Sequence, residues 1–523
     1  MPDPLHAVDY AVVLLYLAGT IGIGLWIGKR LKTGNDFFLA GRNLPWWAIG
    51  MSLVATDIGG TDVIGVGGAA YRYGLAVANF EWIGCVPAMI VGAFLFIPLF
   101  WRSGVYTIPE FMERRYNAAT RSALALCWLA FMACNLGIML LASARMLDTL
   151  FGWPIPASIL ATALFAGLYT LAGGLAAVVY TDMLQCAVMI GGCLAVLVYG
   201  LIDIGGWQGL RQGLAAQHAA ATHLQLILPV DTPTPFPWTG ILFGLALILS
   251  PAYWIGNQAI VQRSFGARNE HEAKAAYLWG ALLKNVIPII IALPGLIALA
   301  RFPRLQDADS AFPVLVSHLL PTGAKGLFLA AFIAALMSSI DSYLNSASTI
   351  FTRDFYLRWI DRTADDRRLL RIGRLATAGL VVWAVAFAFW MRHAGQGIYT
   401  IFQTLMSFFQ GPALAILLAG LLWRRATGRA ALAAFISGVA AAVLLFTLNQ
   451  PAVAAALGTT PLFQIEEPFL YISVWAFLVA AAVLVAGSFM TSPEPEERLR
   501  YVVGWRGMVP HNRRKPVPGG ETA

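Results

Sequence analysis

Few residues in the apolar stretches of this chain can do chemistry, and most of those are acids. Seven charged side chains fall inside long apolar runs: Asp57, Asp62, Glu81, Arg145, Asp182, Lys284 and Asp341. Charge at such depth is costly, so these groups usually pair or line an ion or solute path. Five acids against two bases leave negative charge that suits a bound cation. Two of the seven have a competing local reading. Arg145 lies near the end of its run, where its stem can snorkel to the interface. Asp182 lies near the start of its run and can serve as a helix cap.

Hydroxyls gather around one of these acids. The stretch "AALMSSIDSYLNSAS" carries Ser338, Ser339, Asp341, Ser342, Ser346 and Ser348. Such hydroxyls can simply bond the carbonyl one turn back. Ser338, Asp341 and Ser342, however, stand at i, i+3 and i+4, on one helix face. Hydroxyl and carboxylate oxygens, joined by carbonyls freed at a helix break, are the hard ligands an alkali cation takes. A break is offered by "ATDIGGTD", where two acids and Gly59-Gly60 interrupt an apolar segment. A hydroxyl-rich solute would need polar groups beside an aromatic platform. "NFEW" with Glu81, the pair Tyr253-Trp254, Lys284 and Gln403 supply that material.

The elements that must position these residues are membrane helices. The chain has 523 residues, of which 59% are hydrophobic and 12% charged, about half the charge of a soluble protein. Thirteen apolar spans are expected, roughly at 8–28, 44–71, 76–101, 122–150, 155–178, 182–204, 238–262, 274–300, 326–353, 372–392, 396–423, 428–448 and 468–489. The runs are continuous, unlike the alternating strands of a β-barrel. Basic residues concentrate in alternate loops, among them "GKRLKTGNDFFLAGR", "QRSFGARNEHEAK" and "WRRATGR". That bias places the N-terminus outside and the C-terminus in the cytoplasm. It also accounts for the net charge of +8 without a nucleic-acid partner. The bilayer is the partner the basic loops face.

No secretory leader is read from "MPDPLHAVDY", and the first apolar run ends on the basic "GKRLK". All five cysteines lie in apolar runs and read as packing residues. The seven histidines fall in loops or tails, which argues against a membrane haem or His-rich metal site. The longest outer loop, about 205–237, and the tail after 491 are too short for a catalytic fold, so no enzyme is expected. The tail is charged, Pro-containing and expected to be mostly disordered.

Two spans read as interrupted: the second at "ATDIGGTD" and the seventh at Ser250-Pro251 and Gly256-Asn257. Kinks between packed helices are one source of such breaks. Breaks at corresponding positions of two halves instead point to a transporter with inverted repeats. Five spans separate the two, which fits a five-helix repeat inverted in the membrane. The organisation expected is a first helix within 1–43, a transport core over 44–423, two C-terminal helices over 424–490 and a cytoplasmic tail over 491–523.

With these residues in place, the chain resembles the sodium/solute symporter family, which includes sodium–sugar, sodium–proline and sodium–sialic acid carriers. The likeness runs from "DFFLAGRNLPWWAIGMSLVAT" to the twelfth span, through "VYTIPEFMERRYN", "LYTLAGGLAAVVYTDMLQ", "YWIGNQAIVQR" and "AALMSSIDSYLNSASTIFTRDFY". It implies an all-α membrane protein of the LeuT-type fold, with about 13 transmembrane helices, a 5+5 inverted repeat and two discontinuous helices. It further implies a Na⁺ site made by the carbonyls of Ala55, Ile58 and Ala335 and the hydroxyls of Ser338 and Ser339. Asp182 matches the family acid beside this site, and in members with a second Na⁺ it joins the positions of Asp341 and Ser342. Asp341 departs from the usual Ser or Thr.

For the solute, Glu81, Lys284 and Gln403 match sugar-contacting positions, and Tyr253-Trp254 match an inner aromatic gate. Asp57 stands where sugar carriers commonly have Asn and resembles the acid of the proline carriers. Asp62 stands where sugar carriers use Gln or His. The expectation is therefore a Na⁺-driven symporter of the cell membrane importing a small polar solute, with a sugar favoured. The alternatives are an amino acid or other zwitterionic or cationic solute, or a sensor derived from a transporter.

Overall fold

The computed structural model describes residues 6–29, 34–217, 219–392, 398–465 and 467–502. Part of the basic stop after the first helix, His218, His393 and residues 503–523 of the tail lie outside the described residues.

The described chain is helical, and its length and hydropathy suit a membrane. In chain order the long helices are α1 (Ala7–Gly28), α2 (Trp46–Asp57), α3 (Gly60–Tyr73), α4 (Leu75–Ser103) and α5 (Ala118–Asp148). They continue with α6 (Ile155–Gly167), α7 (Gly174–Asp203), α8 (Gly240–Gly256), α9 (Gln258–Phe265) and α10 (Glu270–Arg301). The chain finishes with α11 (Ala324–Ile360), α12 (Asp366–Met391), α13 (Ile401–Ser407), α14 (Gln410–Leu422), α15 (Gly428–Leu448) and α16 (Phe469–Met490). Among the described residues, nine helices are long and apolar enough to cross a membrane unaided, and three bent pairs bring the spans to twelve. The expected span at 155–178 appears as the shorter α6, separated from α7 where Gly174 takes φ 55°.

Both expected breaks are present. The α2/α3 pair bends by 55° and the α8/α9 pair by 49°. In the first, Ile58 leaves the helical region with φ −92° and ψ 89°, and Gly59 is extended. In the second, Asn257 is extended, and its side chain accepts from the Ala259 amide at 2.9 Å, capping α9. The break therefore falls at Asn257 and not at Pro251, which lies within α8 just after the π-helical stretch Gly240–Leu249 and does not interrupt the helix. A third bend, of 42° between α13 and α14, precedes Gly411-Pro412.

Gly59 keeps a negative φ that other residues also adopt. The glycine that α3 requires is Gly60, because a Cβ there would overlap the Leu336 side chain and lie 3.2 Å from Phe332 of α11. Gly60→Val is therefore expected to destabilise the protein by about 1–3 kcal/mol, the usual cost of overpacking. A lowered melting temperature in detergent would register it, and an unchanged one would refute the close approach.

The core of the molecule is α11 packed on α7, with α2 lying against α7 and α10. Outside this core, α1 is pinned to the start of α11. Asp9 Oδ1 accepts from the amides of Gly323 and Gly326 at 2.7 and 2.8 Å, and Gly326 leaves no room for a side chain over Asp9. The loop at 205–237 carries short helices Gly206–Ala216 and Ala220–His223. The start of the tail is docked: Glu494 accepts from the Gly428 amide at 2.7 Å, and Tyr501 packs edge-on against Phe111.

Candidate functional site

At the first break, the paired serines of α11 face the last turn of α2. Ser338 Oγ donates to the Ala55 carbonyl at 2.7 Å and reaches the Ala335 carbonyl at 3.0 Å. Ser339 Oγ donates to the Thr56 carbonyl at 3.0 Å and reaches that of Ala335 at 3.2 Å. All five residues are buried. Ile58 forms the break itself, one step further along. The result is a cluster of carbonyl and hydroxyl oxygens without nitrogen or sulfur, which fits a hard monovalent cation. The Thr56 carbonyl is an addition to the set expected from sequence.

Next to this cluster lies a buried ionic one. Asp182 sits within α7, not at its end, and is fully buried, so it is no helix cap. Its Oδ2 accepts from Ser52 Oγ at 2.5 Å and pairs with Arg263 at 3.2 Å. The Arg263 guanidinium also donates to Ser52 Oγ at 2.6 Å and to the hydroxyls of Thr56 and Ser342. Ser342 Oγ lies 3.2 Å from Asp341 Oδ1, so Asp182 and Ser342 meet at one guanidinium and Asp341 joins them through Ser342.

Arg263 corrects the expectation that "QRSFGAR" begins a cytoplasmic loop. All eight residues of α9 are buried, and Arg263 is 1% exposed. Its neighbour Gln262 bonds the Phe38 carbonyl at 2.9 Å, Thr349 at 3.1 Å and Ser346 at 3.0 Å. Gln258 bonds the Tyr106 carbonyl and the Ile108 amide. The half-helix α9 is thus latched to α11 and to the segments at 38 and 106–108. Arg145, at the other end of its helix, lies 3.8 Å from Asp309 and takes no part in this cluster.

On the far side of α2 is a cavity of about 60 Å³. Asp57, Asp62 and Glu81 supply its charged wall. Tyr253, Trp254, Phe80 and Phe402 supply aromatic surface, and Gln403, Gln410 and Ser250 neutral polar groups. Asp62 has a second task as the capping residue of α3, accepting from the Gly59 amide at 2.9 Å. Tyr253 lies 3.4 Å from the Tyr343 hydroxyl, which in turn is 3.4 Å from Asn257 at the second break.

Lys284 is set behind this wall. Its ammonium lies 2.5 Å from Glu81 Oε2, contacts Asp57 Oδ2, and sits 5.7 Å from the Trp254 ring centroid. The lysine side chain is 0% exposed, whereas those of Asp57 and Glu81 are 12% and 13% exposed. The carboxylates face the cavity and the lysine braces them. Six of the seven solute residues expected from sequence therefore meet at one cavity, with the seventh one contact removed.

The profile of the sodium:solute symporter family matches residues 37–438. The chain belongs to that family. It is 35% identical to the sodium/glucose cotransporter of Vibrio parahaemolyticus over 84% of this chain and 85% of that one. It is 31% identical to human sodium/glucose cotransporter 4 over 97% of this chain and 79% of the relative. A bovine sodium/mannose cotransporter is 33% identical over 94% and 88% respectively. Among solved structures, a Na⁺-coupled sialic acid symporter in a substrate-bound outward-open state superposes with a TM-score of 0.80. At 21% identity, that match covers 93% of this chain and 99% of that one. As a family symporter, the chain is a multi-pass membrane protein with the LeuT-type fold.

Proposed function

We propose that this symporter imports a sugar-like polar solute across the cell membrane with Na⁺, by alternating access. The observation that carries the reading is the meeting of Ser338 and Ser339 with the Ala55 and Thr56 carbonyls at the helix break. In it, Ala55, Ile58, Ala335, Ser338 and Ser339 hold the Na⁺. The solute lies in the adjoining cavity between Glu81, Gln403 and the aromatic surface of Tyr253 and Trp254. Relatives named for glucose, mannose and myo-inositol support a polyhydroxylated solute.

Binding Na⁺ at a site built from both α2 and α11 holds these helices together, and so favours the state in which they touch. The ion can shift the equilibrium only by its difference in affinity between states. Each charge entering with the potential contributes about 2.3 kcal/mol per 100 mV. In this reading the N-terminus is outside, the orientation the basic loops support, and α9 is a cytoplasm-side element. Release inward then requires the Gln258, Gln262 and Arg263 bonds to open. The reading takes one Na⁺ in the conformation described, because Arg263 already bonds Asp182 and Ser342. A second Na⁺ at Asp182, Asp341 and Ser342 would need Arg263 to withdraw.

Uptake into proteoliposomes tests the proposal. An inward Na⁺ gradient is expected to drive accumulation of at least one neutral or substituted sugar from a panel, and K⁺ in place of Na⁺ is expected to abolish it. Gln403→Ala should weaken uptake by roughly tenfold, the scale of one or two lost hydrogen bonds. Sugar uptake indifferent to Na⁺ would overturn the reading.

A further inference from the structure

The cavity presents one sign of charge to whatever enters it. Asp57, Asp62 and Glu81 line it, and among the described residues no lysine or arginine does. Lys284 compensates two of these acids from behind, but its ammonium is buried and its contacts are taken by Glu81 and Asp57. It has no face left for a solute anion. The N-terminus of α3 offsets about half a charge near Asp62. Asp57 and Glu81 bring two carboxylates to the wall against the one ammonium of Lys284. Two carboxylates sharing one ammonium in this low-dielectric setting are costly to keep ionised, and a bound cation removes the cost.

A metal ion would be one such partner. Ligand atoms of Asp57, Glu81 and Cys85 do lie within 4.8 Å of one another. The Lys284 ammonium already sits against two of the three, so a divalent ion would have to displace it. A cation that leaves Lys284 in place must come from the cavity side. There it meets the exposed oxygens of Asp57 and Glu81, with the rings of Tyr253, Trp254 and Phe402 alongside. Amides and hydroxyls from Gln403, Gln410 and Ser250 complete the lining, and they suit hydroxyl groups.

From this arrangement we infer that the preferred solute is a polyhydroxylated molecule carrying an ammonium group, such as an aminated sugar, and that Asp57 is the residue that selects it. Anionic sugars are rejected by the same wall. The inference rests on the symport reading above and specifies its solute.

Competition for uptake in proteoliposomes under an inward Na⁺ gradient decides it, with glucose, glucosamine, N-acetylglucosamine and glucuronate as probes. N-acetylglucosamine keeps the bulk of glucosamine and loses the charge. Glucosamine is expected to compete at least about tenfold better than glucose or N-acetylglucosamine, the scale of one charge-assisted hydrogen bond, and glucuronate not at all. Asp57→Asn should lower the glucosamine-to-glucose ratio by about the same factor. Thermal shifts of the wild-type protein with the four probes should follow the same order, which keeps the test open if the variant does not fold. Equal competition by glucose and glucosamine, or a ratio untouched by Asp57→Asn, would overturn the inference and leave Na⁺-coupled sugar transport standing. Failure of every sugar to accumulate with Na⁺ would overturn both.

Discussion

Replacing Ser338 and Ser339 together by alanine is expected to abolish Na⁺-driven accumulation while the protein still folds. Each hydroxyl donates to a carbonyl of α2 and reaches the Ala335 carbonyl on its own helix. The α2 carbonyls lose a donor worth about 1 kcal/mol each, a modest loss for a protein of this size. Under the proposed assignment the ion loses two of its ligands. Removing even an outer partner of a metal ligand commonly costs 10–100-fold in affinity, so a single Ser339→Ala change should raise the half-saturating Na⁺ concentration by at least about tenfold. Uptake measured against Na⁺ concentration reads this directly. Wild-type Na⁺ dependence in the double variant would remove the ion from this cluster.

Arg263→Ala is expected to be the most damaging single substitution in the ionic cluster. It strips the guanidinium from Asp182 and leaves a fully buried carboxylate held by Ser52 and Thr56 hydroxyls. Breaking a buried pair from one side costs about 3–5 kcal/mol. It also frees α9 from Ser342 of α11, so transport should fail even where the protein survives. Lysine retains the charge without the fork that spans Ser52, Thr56, Asp182 and Ser342, so Arg263→Lys should recover stability in part only. The double variant Arg263→Met with Asp182→Asn should melt above Arg263→Ala, because no lone charge is left. An Arg263→Ala protein melting like wild type would show that Asp182 does not depend on this guanidinium.

The serine pair and the first break were legible because sequence carries both signals locally. Hydroxyls cluster on one helix, and a Gly-Gly pair flanked by acids cannot continue another. The two breaks likewise pointed to the LeuT-type fold. Arg263 was missed for a physical reason. An arginine close to the end of an apolar run ordinarily marks the membrane surface. Here the helix is interrupted at Asn257, and the half after the break passes through protein instead of lipid. Gln258 and Gln262, at i and i+4 on that half, were the available sign that its surroundings are polar and interior.

Lys284 shows a different limit. Sequence could place it with Glu81 and Asp57 but could not order them in depth, and depth decides which charge a solute meets. Asp62 lines the cavity with Asp57 and Glu81, yet the same carboxylate caps α3, a use that needs the break to be seen first. The third bend, at 408–409, was open to reading from Gly411-Pro412 and was passed over.

The contact between Asp9 and the start of α11 bears on where this protein can be cut. The family match covers residues 37–438, so a minimal version would naturally be drawn at those ends. Asp9 lies outside them, and it satisfies two amides at the head of the helix whose middle carries Ser338 and Ser339. Trimming this first helix would uncap α11 and expose its apolar flank, a dozen residues before Ser338 and Ser339. Truncations at the amino end therefore act on the helix that carries Ser338 and Ser339, whereas a tag after residue 523 leaves the Asp9, Glu494 and Tyr501 contacts in place.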